Sequence, residues 1–191
     1  MVLAHARHIV VSLWLIIGAV WLVTAFFAKR STRTQSLGSN LYHRALSILA
    51  ILVGFTPFFD CGGLTRRFIP PTAFSDDGGL VLALAGVAFA IWARFSLGGN
   101  WSATVTIKAG HTLVRRGPYA WVRHPIYSGL LAALLGTALV YNQVRCLVAV
   151  ALVMVMLASK IGMEEKFMTE QFGPQYQEYK RQVKALIPFV W

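Results

Sequence analysis

The chain has 191 residues, of which 57% are hydrophobic and only 13% carry a charge. This balance is too apolar for an ordinary soluble domain of this size. The formal net charge of +11 could indicate a nucleic-acid-binding protein, but basic residues also collect in the cytoplasmic loops of membrane proteins. No recognition helix or RNA-binding signature occurs, so the sequence predicts a membrane protein. Its expected partners are membrane lipids, and no nucleic acid is expected.

Five apolar stretches predict membrane-spanning helices, since a span needs about 20 predominantly apolar residues. They are residues 9–28, 44–59, 79–97, 125–141 and 146–162. The first is too long for a typical signal peptide and a basic cluster follows it, so we interpret it as a retained span. Only four residues separate the last two spans, which predicts a tight antiparallel hairpin. A helix at 163–172, a break at 173–174 and an interfacial helix at 175–182 should follow.

The basic residues predict the orientation of these spans, because Lys and Arg favour the cytoplasmic side. Twelve of them fall in the first loop, the third loop and the tail: Lys29, Arg30, Arg33, Arg44, Lys108, Arg115, Arg116, Arg123, Lys166, Lys180, Arg181 and Lys184. Four fall on the opposite side: Arg7, Arg66, Arg67 and Arg145. We therefore expect a multi-pass protein with a cytoplasmic C-terminus. Arg94, near the end of span three, should snorkel to the cytoplasmic interface or else face a pocket.

The two cysteines do not have the spacing of a metal site. Cys61 and Cys146 would both lie near the outer face, where a disulfide could form in an oxidising compartment. Two free, packed thiols are the favoured interpretation. No metal site is predicted.

The segment from Arg115 to Gly129 is rich in residues that can carry chemistry. Pro125 suits the first turn of a helix and biases His124 away from helical geometry. The exposed amides and the positive end of span four could bind an anion there. Tyr, Trp, Arg and His also favour the lipid boundary, so an interfacial anchor is the alternative.

Two adjacent acids follow span five directly, where a carboxylate is costly without a partner or water. Lys160 lies one helical turn before Glu164 and should share its face, whereas Glu165 is rotated by about 100°. The two glutamates should therefore have different roles. The alternative is a surface ion pair between Lys160 and Glu164 that has little effect on stability.

Together these residues resemble the isoprenylcysteine carboxyl methyltransferases. The similarity extends over roughly the last half of the chain and includes Asn100, Trp101, His111 to Val114, Gly117, Tyr119, Arg123 to Pro125, Tyr127, Gly129, Glu164, Glu165, Phe172, Gly173, Tyr176, Tyr179 and Pro188. The histidine-proline pair and paired glutamates are shared with phospholipid N-methyltransferases. The resemblance implies an all-α integral membrane fold of about five transmembrane helices, with a cytoplasmic-side cofactor pocket in the C-terminal half. Residues 1–97 would form the first three spans and residues 98–191 the methyltransferase core.

The resemblance also implies S-adenosylmethionine as cofactor and a lipid-like or prenylated acceptor, including a protein C-terminus. The implied cofactor residues are Thr106, His111, Thr112, Leu113, Val114, Tyr119, His124, Pro125, Ile126, Tyr127 and Glu164. Lys160 stands where the family usually has an arginine that contacts the substrate carboxylate, and Lys160 and Glu165 are the catalytic candidates. Lysine offers charge without the bidentate fork of arginine.

The chemistry of methyl transfer supports separate roles for these residues. A sulfonium donor leaves as a neutral thioether and a carboxylate acceptor needs no base, so positioning and electrostatics suffice. Glu164 could then neutralise the cationic cofactor and Lys160 could hold the acceptor. A lipid amine acceptor would need a base, which Glu165 or His124 could supply. A non-catalytic scaffold or transporter component is the third interpretation.

Overall fold

The computed structural model describes residues 2–29, 31–34, 36–60, 62–70, 74–101, 106–108 and 112–188. Its main elements are α1 (Val2–Ala25), β1 (Ser31–Thr34), α2 (Leu37–Phe55), α3 (Gly79–Leu97), β2 (Thr106–Lys108), α4 (Pro125–Tyr141), α5 (Val144–Phe172) and α6 (Pro174–Gln182). Short 3₁₀ turns at Pro57–Phe59, Gly62–Thr65, Gly98–Asn100 and Gly117–Ala120, and a π turn at Phe74–Gly78, connect them.

Within the part of the chain that the structure describes, three helical segments are long and apolar enough to cross a membrane. They are His5–Ala25, Gly79–Asn100 and Val144–Phe172, and Pro125–Tyr141 is a shorter apolar helix. The chain is therefore an integral membrane protein. The predicted count of five spans stays a prediction.

Several boundaries differ from those predicted. Spans three and four coincide with α3 and α4, but α2 begins at Leu37 and not at residue 44, because Ser36 caps its first turn by accepting a hydrogen bond from Ser39 N–H. Span five and the helix predicted after it form one continuous α5 of 29 residues. The break after Phe172 is confirmed, since Gly173 has a φ of 51°.

α3 and α4 pack antiparallel along a seam of small residues. A methyl group at Gly86 would lie 2.6 Å from the Gly129 carbonyl oxygen, and one at Gly129 would lie 2.6 Å from the Ala90 nitrogen. Ala90 and Ala133 on the same seam are fully buried. Small residues let the two backbones approach this closely, as in other membrane helix pairs.

α5 packs mainly against α2 and only secondarily against α4. Ser39 donates a hydrogen bond to Met163 Sδ, and His43 Nε2 lies 3.4 Å from Ser159 Oγ. The α4–α5 connection contains only Asn142 and Gln143, with Asn142 left-handed at a φ of 51°. The predicted hairpin is therefore present, but each of its helices has a closer partner elsewhere.

The first and third loops meet at one end of the bundle in a short antiparallel ribbon. β1 pairs with β2, with Ser31 opposite Lys108 and Thr34 opposite Thr106. The purely helical expectation did not include this ribbon. The ends of α1 and α3 and the starts of α2 and α4 lie at the same end, which we call the site end.

The opposite end of the bundle is closed by polar contacts. Arg145 pairs with Asp60 at 2.5 Å, and the Asn142 side chain exchanges hydrogen bonds with the backbone of Ile69. Cys146 is a free, fully buried thiol 3.5 Å from the Gly54 carbonyl oxygen. Cys61 lies outside the described residues. Within the described residues there is no cluster of three or more His, Cys, Asp or Glu suited to a metal ion.

Candidate active site

The start of α4 is held in place by the C-terminal segment that follows α6. The backbone amide of Arg123 donates to the Lys184 carbonyl at 2.8 Å, and that of His124 donates to the Ala185 carbonyl at 2.9 Å. Ser128 Oγ donates to the Leu186 carbonyl at 2.6 Å. Pro125 occupies the first helical position, as its fixed φ favours. These contacts aim the His124 ring at α5.

His124 lies between the two glutamates of α5. Its Nδ1 is 3.4 Å from Glu164 Oε2, and its Nε2 is 3.4 Å from Glu165 Oε1. Tyr127 stacks on the His124 ring at 5.6 Å and donates its hydroxyl to Glu164 Oε1 at 2.5 Å. Both ring nitrogens therefore face a carboxylate oxygen.

The surroundings of His124 favour its protonated form. Burial alone would lower the pKa of the imidazole, but hydrogen bonds to Glu164 and Glu165 outweigh burial and raise the pKa above the ordinary histidine value of 6.5. The protonated ring can donate to both carboxylates at once.

Glu165 is enclosed by cations on the far side of His124. Arg123 Nε and Nη2 donate to its Oε1 at 2.8 and 2.5 Å, and Lys180 Nζ lies 2.7 Å from its Oε2. Arg123 also donates to the Val183 carbonyl. The network thus joins α5, α6 and the start of α4. No sequence pattern identified Lys180 as a member, because the contact depends on how α6 folds back.

A cavity of about 350 Å³ opens in front of His124 at the site end. Its lining comprises Trp21, Leu97, Asn100, Trp101, Thr112, Leu113, Val114, Tyr119, Arg123, His124, Ile126, Tyr127, Leu130, Lys160, Glu164, Phe167, Met168, Tyr176 and Tyr179. Residues from α1, α3, α4, α5 and α6 contribute, so it belongs to no single sequence motif. The size and mixed lining suit a small-molecule ligand.

Most of the predicted site residues meet at this cavity. Thr112, Leu113, Val114, Tyr119, His124, Ile126, Tyr127, Lys160 and Glu164 all line it. Pro125 and Glu165 do not, since Pro125 serves as the helix start and Glu165 lies behind His124. His111 and the side chain of Thr106 lie outside the described residues.

Several lining residues were missed or given no role by the sequence. Trp21 comes from α1, far from every motif, and no sequence signal could have found it. Trp101 and Tyr176 belong to the motif blocks but had no assigned role. Phe167 and Met168 follow the paired glutamates by one turn, and this spacing is the signal that could have found them.

Hydrogen bonds fix the walls of the cavity. Asn100 Nδ2 donates to Thr112 Oγ1 at 2.9 Å, and Lys29 Nζ donates to Asn100 Oδ1 at 3.0 Å. Tyr179 donates its hydroxyl to the Tyr119 carbonyl at 2.5 Å. Burial raises the pKa of Tyr179, so its hydroxyl remains a donor.

Lys160, on α5, also lines the cavity. Its Nζ lies 5.5 Å from the centre of the Tyr127 ring, within the range of a cation–π contact. A cation and a carboxylate, Lys160 and Glu164, thus line the same space one helical turn apart.

Comparisons with known proteins identify the family of the chain. A family model described as isoprenylcysteine carboxyl methyltransferase (ICMT) family matches residues 79–170. A probable protein-S-isoprenylcysteine O-methyltransferase of Oryza sativa subsp. indica is 33% identical over 173 residues, which are 88% of this chain and 87% of the relative. A protein-S-isoprenylcysteine O-methyltransferase of Saccharomyces cerevisiae is 32% identical over 115 residues, 59% of this chain and 48% of that one.

A solved structure of the eukaryotic intramembrane Ras methyltransferase ICMT is also similar. Its TM-score is 0.55 at 26% sequence identity, covering 80% of this chain and 51% of that chain. This chain thus spans about half the length of the yeast relative and of the solved chain, but most of the rice relative. The chain belongs to the isoprenylcysteine carboxyl methyltransferase family.

Proposed function

We propose that this protein transfers a methyl group from S-adenosylmethionine to the carboxylate of a prenylated cysteine or a similar lipid-linked carboxylate. The observation that carries the proposal is the cavity in which Glu164 and Lys160 face the same space. A carboxylate and an ammonium one helical turn apart provide separate sites for a cationic donor and an anionic acceptor.

The donor set of the cavity fits S-adenosylmethionine, which when bound supplies an electrophilic methyl group on a sulfonium. The Glu164 carboxylate can neutralise a cation of that molecule, and Tyr127 and His124 hold the carboxylate in one orientation. Aromatic rings such as Trp101, Tyr119 and Tyr176 supply apolar walls. Thr112 to Val114 and Ile126 complete the proposed cofactor set, together with Pro125, which starts α4, and Thr106 and His111 from the family resemblance.

Lys160 is proposed to hold the acceptor carboxylate. Its ammonium attracts an anion, and a carboxylate acceptor is already deprotonated at neutral pH, so no base is required. Glu165 would then be a positioning residue and not a base, because Arg123 and Lys180 bind its two oxygens and it holds His124 from behind. A carboxyl acceptor thus fits these contacts better than an amine, which would need a free base.

The basic site end is proposed to face the cytoplasm, in keeping with the twelve-to-four distribution of Lys and Arg. The donor would enter from that side, and the lipid-linked acceptor from the bilayer. A single cysteine introduced at Arg115, which is exposed, should react with an impermeant thiol reagent only from the cytoplasmic side. Labelling from the opposite side alone would contradict this topology.

Product analysis tests the reaction itself. Purified protein incubated with labelled S-adenosylmethionine and a prenylcysteine analogue should form a base-labile methyl ester, and Glu164→Gln should form much less. A base-stable methylated amine from a phospholipid would instead favour an N-methyltransferase. If the wild-type protein binds no cofactor in a calorimetric titration, the methyltransferase proposal fails and a scaffold role gains support.

A further inference from the structure

Arg94 is a buried charge that the proposed reaction does not use. It lies in the last turn of α3 and is only 2% exposed. The expectation that it snorkels to the interface is therefore wrong. Within the described residues no carboxylate pairs with it and its Nε has no hydrogen-bond partner. A buried cation in a membrane helix is costly, which makes a functional role a reasonable hypothesis.

Backbone carbonyls take the place of a carboxylate partner. Arg94 Nη2 donates to the Thr24 carbonyl at 2.8 Å, and Nη1 donates to the Gly98 carbonyl at 3.0 Å. Thr24 lies in the last turn of α1, and Gly98 is the C-cap of α3. Because the negative ends of two helix dipoles converge on the guanidinium, its charge is stabilised in place. Arg94 thereby ties the end of α1 to the end of α3.

The guanidinium also lies against a wall of the cavity. Its central carbon lies 4.3 Å from the centre of the Trp101 ring. Trp101 lines the cavity and meets Trp21, another lining residue, edge to face at 6.5 Å. Trp101 also packs against the hydrophobic cluster of Tyr119 and Ile126. Arg94 does not line the cavity itself, so any effect it has on a ligand there must pass through Trp101 and its neighbours.

We infer that Arg94 is a positioning residue that holds Trp101, and with it the α1–α3 wall of the cavity, in the orientation that binds the methyl donor. This inference rests on the proposed function, because it assigns that cavity to the donor. A desolvated cation–π contact and two hydrogen bonds to separate helices give Trp101 one fixed neighbour.

A double-mutant cycle tests the inference, with the affinity of the full-length protein for S-adenosylhomocysteine as the readout. Arg94→Met and Trp101→Leu should each weaken binding by about tenfold, the range expected from losing a desolvated cation–π contact. In the Trp101→Leu background, Arg94→Met should weaken binding by less than about twofold, since coupled residues do not add. Additive losses, or no loss from either single change, would overturn the inference.

Arg145 supplies a matched control, because it is also a buried arginine, 8% exposed, but lies at the opposite end of the bundle. Arg145→Met should lower thermal stability and leave the affinity for S-adenosylhomocysteine unchanged. An equal loss of affinity in Arg145→Met would show that Arg94 acts only through stability.

If Arg94→Met cannot be purified, Arg94→Lys replaces it in the same double-mutant cycle. One ammonium cannot replace the guanidinium on both carbonyls, so Arg94→Lys should bind S-adenosylhomocysteine more weakly than the wild-type protein does. Adding Trp101→Leu to Arg94→Lys should again cause little further loss of affinity. Wild-type protein that binds no S-adenosylhomocysteine would reject the proposed function itself, and the inference with it.

Discussion

The two sides of α4 differ in how they meet their neighbours. On one side Gly129, Ala133 and Gly136 bring the α3 backbone so close that even a methyl group would clash at either glycine. On the other side Tyr127 and Leu130 face the cavity that α5 closes. Both sides are apolar in composition. The difference shows that small residues fix α4 on α3, while larger side chains keep α5 far enough away to leave a site.

The largest effect should come from a change at Glu164, on the side of α4 that faces the cavity. Glu164→Gln removes the carboxylate that Tyr127 and His124 hold, so affinity for the methyl donor should fall by roughly 10- to 100-fold, as for other hydrogen bonds to a charged group. Titration calorimetry measures this. Glu178→Gln is the control, because Glu178 is exposed on α6, where it contacts Arg181 and Gln182 and lies outside the cavity lining. Equal losses in the two variants would contradict the role of Glu164.

The close packing of α3 against α4 can be disrupted at Gly86. Gly86→Ala places a methyl group 2.6 Å from the Gly129 carbonyl oxygen, and such overpacking costs about 1–3 kcal/mol, or roughly 3–10 °C in Tm. Thermal unfolding in detergent measures the change. Gly18→Ala is the matched control, since nothing lies within 4 Å of the added methyl group; its Tm should stay equal or rise slightly. If Gly86→Ala lowers the Tm no more than Gly18→Ala does, the close packing of α3 against α4 is not rigid.

The pH dependence of stability tests the His124 contacts that join the two α5 glutamates to α4. Because the pKa of His124 is raised in the folded state, its stabilising contribution is fully present below a pH of 6.5, the ordinary pKa of histidine. The contribution is lost as the pH rises through the folded-state pKa. Wild-type protein should therefore lose stability relative to His124→Asn as the pH rises above about 6.5. Parallel unfolding curves would contradict a raised pKa.

The smallest effect should come from Lys160. Lys160→Arg keeps the charge and adds the bidentate fork, so the KM for a carboxylate acceptor should fall about two- to fivefold, with the affinity for S-adenosylhomocysteine unchanged. Lys160→Met should raise that KM. Steady-state kinetics with a prenylcysteine analogue measures both. If Lys160→Met changed only donor affinity, Lys160 would belong to the donor site.

The sequence identified nine of the nineteen described residues that line the cavity, mainly through the family resemblance and partly through spacing. His124 before Pro125 predicts a helix start, and Glu164 four residues after Lys160 predicts a shared face. It did not identify the closest helix pair, although Gly79, Ala83 and Gly86 on α3 and Gly129, Ala133 and Gly136 on α4 carry the small-residue spacing of packed membrane helices. The short connection correctly predicted that α4 and α5 are neighbours, but α4 packs more closely against α3, because a short connection limits the distance between two helices and does not decide how tightly they pack.

The sequence by itself determined membrane residence, the extents of α3 and α4, the break at Gly173, and the family, because hydropathy, helix-breaking residues and motif spacing are local properties. Only the tertiary structure decided that Glu165 lies behind His124, that Lys180 closes the ion-pair network, and that Arg94 is buried against Trp101. Each of these contacts joins residues on different elements. They depend on how the backbones of the helices approach one another, which no pattern along a single helix contains.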